Sequence, residues 1–156
     1  MPQEGVPVGV TCLMSIVPEH HRIEIGHVVY SSLLQRSPAT TEASYLLMKL
    51  CFEELGYERV EWKCNDRNLP SMKAAERLGF VYEGTFRRHL VVKGKRRDTA
   101  WYSVVPLEWE GKGEDGKGGC VKGALEEWLG VGNFGEDGEQ GQKLELIRER
   151  LRARDG

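Results

Sequence analysis

Alternating apolar and polar positions divide the chain into short strands, with helical spacing between some of them. Val6 to Ile16 is rich in Val, Thr, Cys and Leu, Pro18-Glu19-His20-His21 punctuates it, and Arg22 to Ser31 returns to alternation. An antiparallel hairpin is predicted. From about Thr40 to Leu55 the period becomes helical: Ala43, Leu47, Leu50 and Cys51 form one apolar stripe and Gly56 supplies a stop. Arg59 to Cys64 then alternates Val60, Trp62 and Cys64 with Glu61 and Lys63, so strand, helix and strand predict a crossover unit.

A short helix is predicted near Pro70 to Leu78, with Gly79 at its C′ position. Strands follow around Phe80 to Arg87 and Thr99 to Val105, with Lys93-Gly94-Lys95-Arg96 as the hairpin turn. The expected fold is α/β: a mixed, mostly antiparallel sheet with one crossover helix. After Trp109 the stretch Gly111 to Gly119 reads as a flexible linker rather than a phosphate loop, since it lacks a Gly-Lys-Ser/Thr ending. Beyond it Val121, Leu125, Trp128 and Leu129 fit one helix face, Leu144, Ile147 and Leu151 fit another, and Gly130 to Gly141 separates them. The predicted organisation is a domain over 1–110 and a Gly-rich linker with a C-terminal helical appendage over 111–156.

Composition narrows the function classes. The chain has 156 residues and 40% hydrophobic positions, enough for one core. With 22 Lys and Arg against 24 Asp and Glu, the net charge of -2 offers no general attraction to nucleic acid or to an anionic membrane. Arg87, Arg88, Arg96 and Arg97 lack interleaved aromatics beyond Phe86, and Asp98 is a candidate partner for one of them. Cys12, Cys51, Cys64 and Cys120 lack zinc or dithiol spacing, and adjacent His20 and His21 do not converge on a metal. No leader pattern or membrane-length apolar run stands out, so a soluble cytoplasmic protein is expected, binding neither nucleic acid nor membrane.

Two segments carry candidate chemistry. Gln35-Arg36-Ser37-Pro38-Ala39-Thr40-Thr41-Glu42-Ala43 opens the first helix, where N–H groups without internal acceptors can hold phosphate. Arg36 adds a cation and Ser37 and Thr40 add hydroxyls, although plain helix capping explains the same residues. Asn68 is a second cap candidate, and Ser71 lies in the turn that follows it.

The motifs resemble a known family. Ile23-Glu24-Ile25-Gly26-His27-Val28-Val29-Tyr30, Thr41-Glu42-Ala43, Glu61-Trp62-Lys63-Cys64 with Asn65, Asn68-x-x-Ser71 through Gly84, and Lys93-Gly94-x-x-Arg97-Asp98-Thr99-Ala100 appear in the order of the Gcn5-related N-acetyltransferase superfamily. The resemblance covers Val6 to Trp109 and is nearest to the ribosomal-protein-alanine acetyltransferase-like group. It implies acetyl-CoA as cofactor, bound where two central strands splay apart, and direct acetyl transfer to an amine with no covalent enzyme intermediate.

The same resemblance assigns residues. Arg36, Ser37, Ala39, Thr40 and Thr41 match the pyrophosphate loop, with Pro38 standing where the family has glycine. Proline has no N–H to donate, so one backbone contact is expected to be lost while the helix start is kept. Asn68 matches a position bordering the pantetheine arm, and Ser71 matches the one near the departing sulfur; these two are the catalytic candidates. Glu24 and Glu83 are the carboxylates nearest the predicted strand ends. The family's first strand and helices, which wall the acceptor, have no counterpart before Val6. The expected acceptor is an amine-bearing small molecule or a protein N-terminus, with a homodimer as a possible assembly. Two alternatives remain: a catalytically silent coenzyme-A-binding regulator, and an interaction module acting through the C-terminal helices.

Overall fold

The computed structural model describes residues 5–111, 120–135 and 138–154. Strands β1 (Gly9–Val17) and β2 (Arg22–Tyr30) pair antiparallel across a 3-10 turn at Pro18–His20, with His21 left-handed at φ 47 to reverse the chain. Helix α1 (Pro38–Lys49) runs without a break into a π-helical turn, Leu50–Glu54, and Gly56 at φ 67 ends it. Strand β3 (Arg59–Asn65) then lies parallel to β2, so the crossover unit forms. Helix α2 (Leu69–Leu78) ends on Gly79 at φ 103, a left-handed cap open to a residue without Cβ. Strands β4 (Val81–Val92) and β5 (Lys95–Val104) make a long hairpin. The sheet order is β1-β2-β3-β5-β4, mixed and mostly antiparallel as expected.

Two local expectations are corrected. The buried face of α1 is Thr41, Ser44 and Met48, continuing to Cys51 of the expected stripe in the π turn; Leu47 packs partly buried against the core, and Ala43 and Leu50 are half-buried. Ser44 can be buried because its hydroxyl donates to the Thr40 carbonyl at 3.0 Å, so polar residues take the inner face at little cost. Strands β4 and β5 also run five and four residues further into the hairpin than the sequence suggests. Lys93 and Gly94, at φ 50 and 73, complete a two-residue turn whose twist suits long paired strands.

The helices pack one sheet face. Ile23, Ile25, Val60, Trp62, Cys64, Ala100, Tyr102 and Val104 are buried there with Met48, Ala75 and Leu78. Helix α3 (Pro106–Glu110) adds Trp109, 1% exposed and stacked on Phe52 at 5.2 Å. Helices α4 (Val121–Leu129) and α5 (Leu144–Arg154) join the same core through Val121, Ala124, Leu125, Trp128, Leu144 and Ile147. The α4 stripe is therefore buried against α1, α3 and α5. Arg148 of α5 donates to the carbonyls of Glu76 and Arg77 at 3.0 and 2.8 Å, capping the end of α2. The Gly-rich stretch at 112–119 and residues 136–137 lie outside the described residues, as does the N-terminal tetrapeptide.

Candidate functional site: a cleft between two parallel strands

The parallel pair β2–β3 is zipped only at its beginning. Arg22 faces Arg59, Ile23 faces Val60 and Glu24 faces Glu61; beyond that the strands are unpaired with each other. A bulge in β2 accompanies the divergence. The pairing with β1 shifts between Val10/Val29 and Cys12/Gly26, and His27 takes a left-handed φ of 49. An extra residue in one strand bends it, and here the bend leaves backbone N–H and C=O groups on the facing edges of β2 and β3 without strand partners. Gly26 lets the Met14 side chain lie close at this point, since a Cβ there would sit 2.4 Å from the Met14 sulfur and displace it.

The opening is a cleft of about 220 Å³ lined by residues from both strands and from α2, among them Gly26, Trp62, Cys64, Asn65, Asn68 and Ser71. Asn68 is the N-cap of α2, its side chain accepting the Ser71 N–H at 3.3 Å. That bond fixes Ser71 in the first turn, where its Oγ accepts the Trp62 indole N–H at 3.0 Å. The two catalytic candidates are thus brought together on the cleft wall. A larger hollow of about 750 Å³ lies along the β4–β5 hairpin, lined by Phe86, Arg87, Arg88, His89 and Asp98. None of these residues lines the cleft, and Asp98 accepts the Arg88 backbone N–H at 2.6 Å instead of pairing with a guanidinium.

The phosphate candidates gather at the start of α1, outside the cleft lining. Arg36 is exposed and left-handed at φ 61. Ser37 is the N-cap, but its hydroxyl donates backward to the Leu34 carbonyl at 2.7 Å and caps nothing. Pro38 occupies the first helical position. Thr40 donates its hydroxyl to the Ser37 carbonyl at 2.9 Å and its N–H to the same oxygen at 3.3 Å. Thr41 is 2% exposed, and its hydroxyl accepts from Arg77 at 2.9 Å. Ala39 therefore keeps the first-turn N–H for which the helix has no acceptor of its own.

The carboxylates occupy the zipped end. Glu24 Oε2 accepts from Ser15 Oγ at 2.8 Å and pairs with Lys63 at 2.9 Å. Glu61 is 2% exposed and pairs with Lys63 and Arg59, each at 2.8 Å. Burial pushes the Glu61 carboxyl upward, but the bonds from Arg59 and Lys63 outweigh it and hold it below its ordinary range. Arg59 and Ser103 clamp Glu83 at 2.7 Å each; the Arg59 bond is the main cause that holds Glu83 low as well. A clamped carboxylate with lowered basicity is a poor proton acceptor, so Glu83 is ill suited to deprotonate an amine.

Sequence reasoning missed Trp62, Cys64 and Arg77. Alternation marked Trp62 and Cys64 as core, which they are, and gave no sign that the same side chains line a cleft. Arg77 lay in an ordinary last helical turn; only the fold sets its guanidinium between Thr41 and the Trp128 ring, 4.8 Å from the ring centroid.

Comparison with known proteins agrees with this architecture. A GCN5-related N-acetyltransferase from Brucella melitensis superposes with a TM-score of 0.83 at 44% identity, over 91% of this chain and 60% of that chain. The "Putative ribosomal N-acetyltransferase YdaF" of Bacillus subtilis is 31% identical over 109 residues, 70% of this chain and 59% of that protein. The "Uncharacterized N-acetyltransferase p20" of Bacillus licheniformis is 30% identical over 102 residues, 65% of this chain and 57% of that protein. The chain thus spans about three fifths of the length of these relatives. The family described as the acetyltransferase (GNAT) domain matches residues 1–81. Cleft, crossover and family match together show that the chain belongs to the GNAT acetyltransferase superfamily.

Proposed function

We propose that this chain is an acetyl-CoA-dependent N-acetyltransferase whose cofactor arm enters the cleft between β2 and β3. The observation that carries the reading is the loss of strand pairing beyond Glu24 and Glu61, directly beside Asn68 and Ser71. Unpaired strand edges need amide partners, and an extended, amide-bearing arm supplies them as an added strand would. The residues present fit such a group: a narrow slot for the arm, and at the start of α1 a free Ala39 N–H with exposed Arg36 for its phosphates.

Bound acetyl-CoA would supply an activated acyl group, whose C–S bond breaks as a C–N bond forms to the acceptor amine. Ser71 would hold its O–H toward the departing sulfur, an interaction that strengthens as negative charge develops there. Asn68 would keep Ser71 in place through the cap. Among the two carboxylate candidates Glu83 is clamped, so the amine proton would leave through water, and positioning would carry much of the rate. The acceptor is a protein N-terminal amine or a small amine; a ribosomal protein is one candidate, since the Bacillus subtilis relative is named a putative ribosomal N-acetyltransferase.

The test is calorimetric titration with acetyl-CoA, followed by mass-spectrometric detection of acetyl transfer to N-terminal peptides. Ser71→Ala is expected to lower kcat by about 10- to 100-fold with binding retained, the size of a lost charge-assisted hydrogen bond. Absence of binding to the wild type sinks the proposal. Binding without transfer to any amine would favour the silent-regulator alternative, for which Pro38 in place of a backbone donor speaks.

A further inference from the structure

The chemistry of its Trp62 neighbour limits what the single Ser71 hydroxyl proton can do. An indole N–H can only donate, so the 3.0 Å contact from Trp62 Nε1 places a donor in a lone pair of Ser71 Oγ. Ser71 therefore retains its own O–H for another acceptor. Cys64 lines the same cleft as Ser71. Burial pushes its thiol up, and the nearby Ser71 hydroxyl and Arg97 charge only partly offset it. Cys64 thus remains a neutral thiol, whose sulfur accepts weakly. All three residues line the cleft, and Trp62 is held from behind by Phe80 at a centroid distance of 5.7 Å.

We propose that Trp62 is a positioning residue for acyl transfer: its N–H, donated to Ser71 Oγ, leaves the Ser71 O–H free to be aimed at the departing sulfur. The inference rests on the acetyl-CoA reading. Consecutive hydrogen bonds polarise one another, so a serine that accepts from an indole is a better donor than one that does not. As the C–S bond breaks, its electron pair stays on sulfur, and the resulting thiolate is a far stronger acceptor than the Cys64 thiol. Ser71 donates a hydrogen bond and keeps its proton. The proton lost by the amine nitrogen and the one gained by the thiolate are exchanged through water, so the count closes. Trp62 leaves the charge on sulfur to Ser71 and never touches it.

The chain has four tryptophans, so nitrogen-15 spectra resolve few indole signals, and Trp62→Phe identifies the one concerned. In the wild type this indole proton is expected to move downfield when coenzyme A is added, and more at a pH where the coenzyme's thiol is ionised. Ser71→Ala should move it upfield and abolish the response. In kinetics, Trp62→Phe is expected to lower kcat about tenfold with KM for acetyl-CoA changed less than about twofold. In a Ser71→Ala background the same substitution should have no further effect on kcat. A tryptophan that merely fills space would weaken both backgrounds equally, and that result would overturn the proposal. So would an indole signal insensitive to coenzyme A that calorimetry shows to be bound. Failure of coenzyme A to bind the wild type at all is a different outcome: it removes the acetyl-CoA reading, and this inference with it.

Discussion

The N-termini of α1 and α2 begin alike and end differently. Each has a polar N-cap residue and a proline in the first two positions, Ser37 with Pro38 and Asn68 with Pro70. Asn68 turns its side chain onto the Ser71 N–H and closes its own helix. Ser37, with extended backbone at φ -89 and ψ 156, turns its hydroxyl to the Leu34 carbonyl and leaves the first turn of α1 uncapped. A closed terminus is a rigid mount for a side chain, and an open one is a receptor for negative charge. The same local chemistry thus yields a platform for Ser71 on one helix and a candidate phosphate mouth on the other.

The largest change should come from the zipped strands that hold both helices in register. Glu61→Gln leaves Lys63 and Arg59 short of a buried counter-charge and is expected to cost about 2–3 kcal/mol in urea unfolding. The wild type should show a related loss in acid. Glu61 and Glu83 are both held below the ordinary carboxylate range, so their contribution is complete above it and disappears as the pH falls through the lowered values. A urea midpoint that stays level from neutral pH to pH 3 would show that the cluster contributes nothing.

A smaller effect separates the two mouths directly. Pro38→Gly restores a donor to α1 alone and is expected to tighten acetyl-CoA binding about three- to tenfold by calorimetry, the worth of about one hydrogen bond. Unchanged affinity would mean that Ala39 and Arg36 already suffice, or that the anion sits elsewhere. The smallest effects test the caps. Asn68→Ala should destabilise by about 1 kcal/mol, whereas Ser37→Ala should cost only about a few tenths, because Ser37 makes no cap bond to lose. Equal thermal shifts for these two variants would erase the distinction between a closed and an open terminus.

Much of the fold was legible because its signals are local. Gly79 and Gly56 mark helix ends through their backbone freedom, and the alternation of Val60, Trp62 and Cys64 with charged residues announces a strand with one buried face. The first helix was placed two residues late and its inner face was partly misjudged, since Ser44 and Thr41 look exposed until the bonds that satisfy their hydroxyls are seen. In the candidate site, Asn68 and Ser71 were legible through their cap spacing and through family resemblance. The bulge at His27 was not, because a left-handed histidine inside a strand has no compositional mark.

From the amino-acid order alone come the element sequence, the helix stops, the crossover and the residues at the head of α2, since each depends on neighbours within a few positions. Only the tertiary structure decided that β2 and β3 part after three pairs, that α4 and α5 belong to the sheet's core, and that the Trp62 indole points at Ser71. These are contacts between distant segments, and their geometry is set by how whole faces pack, which no short window of sequence contains.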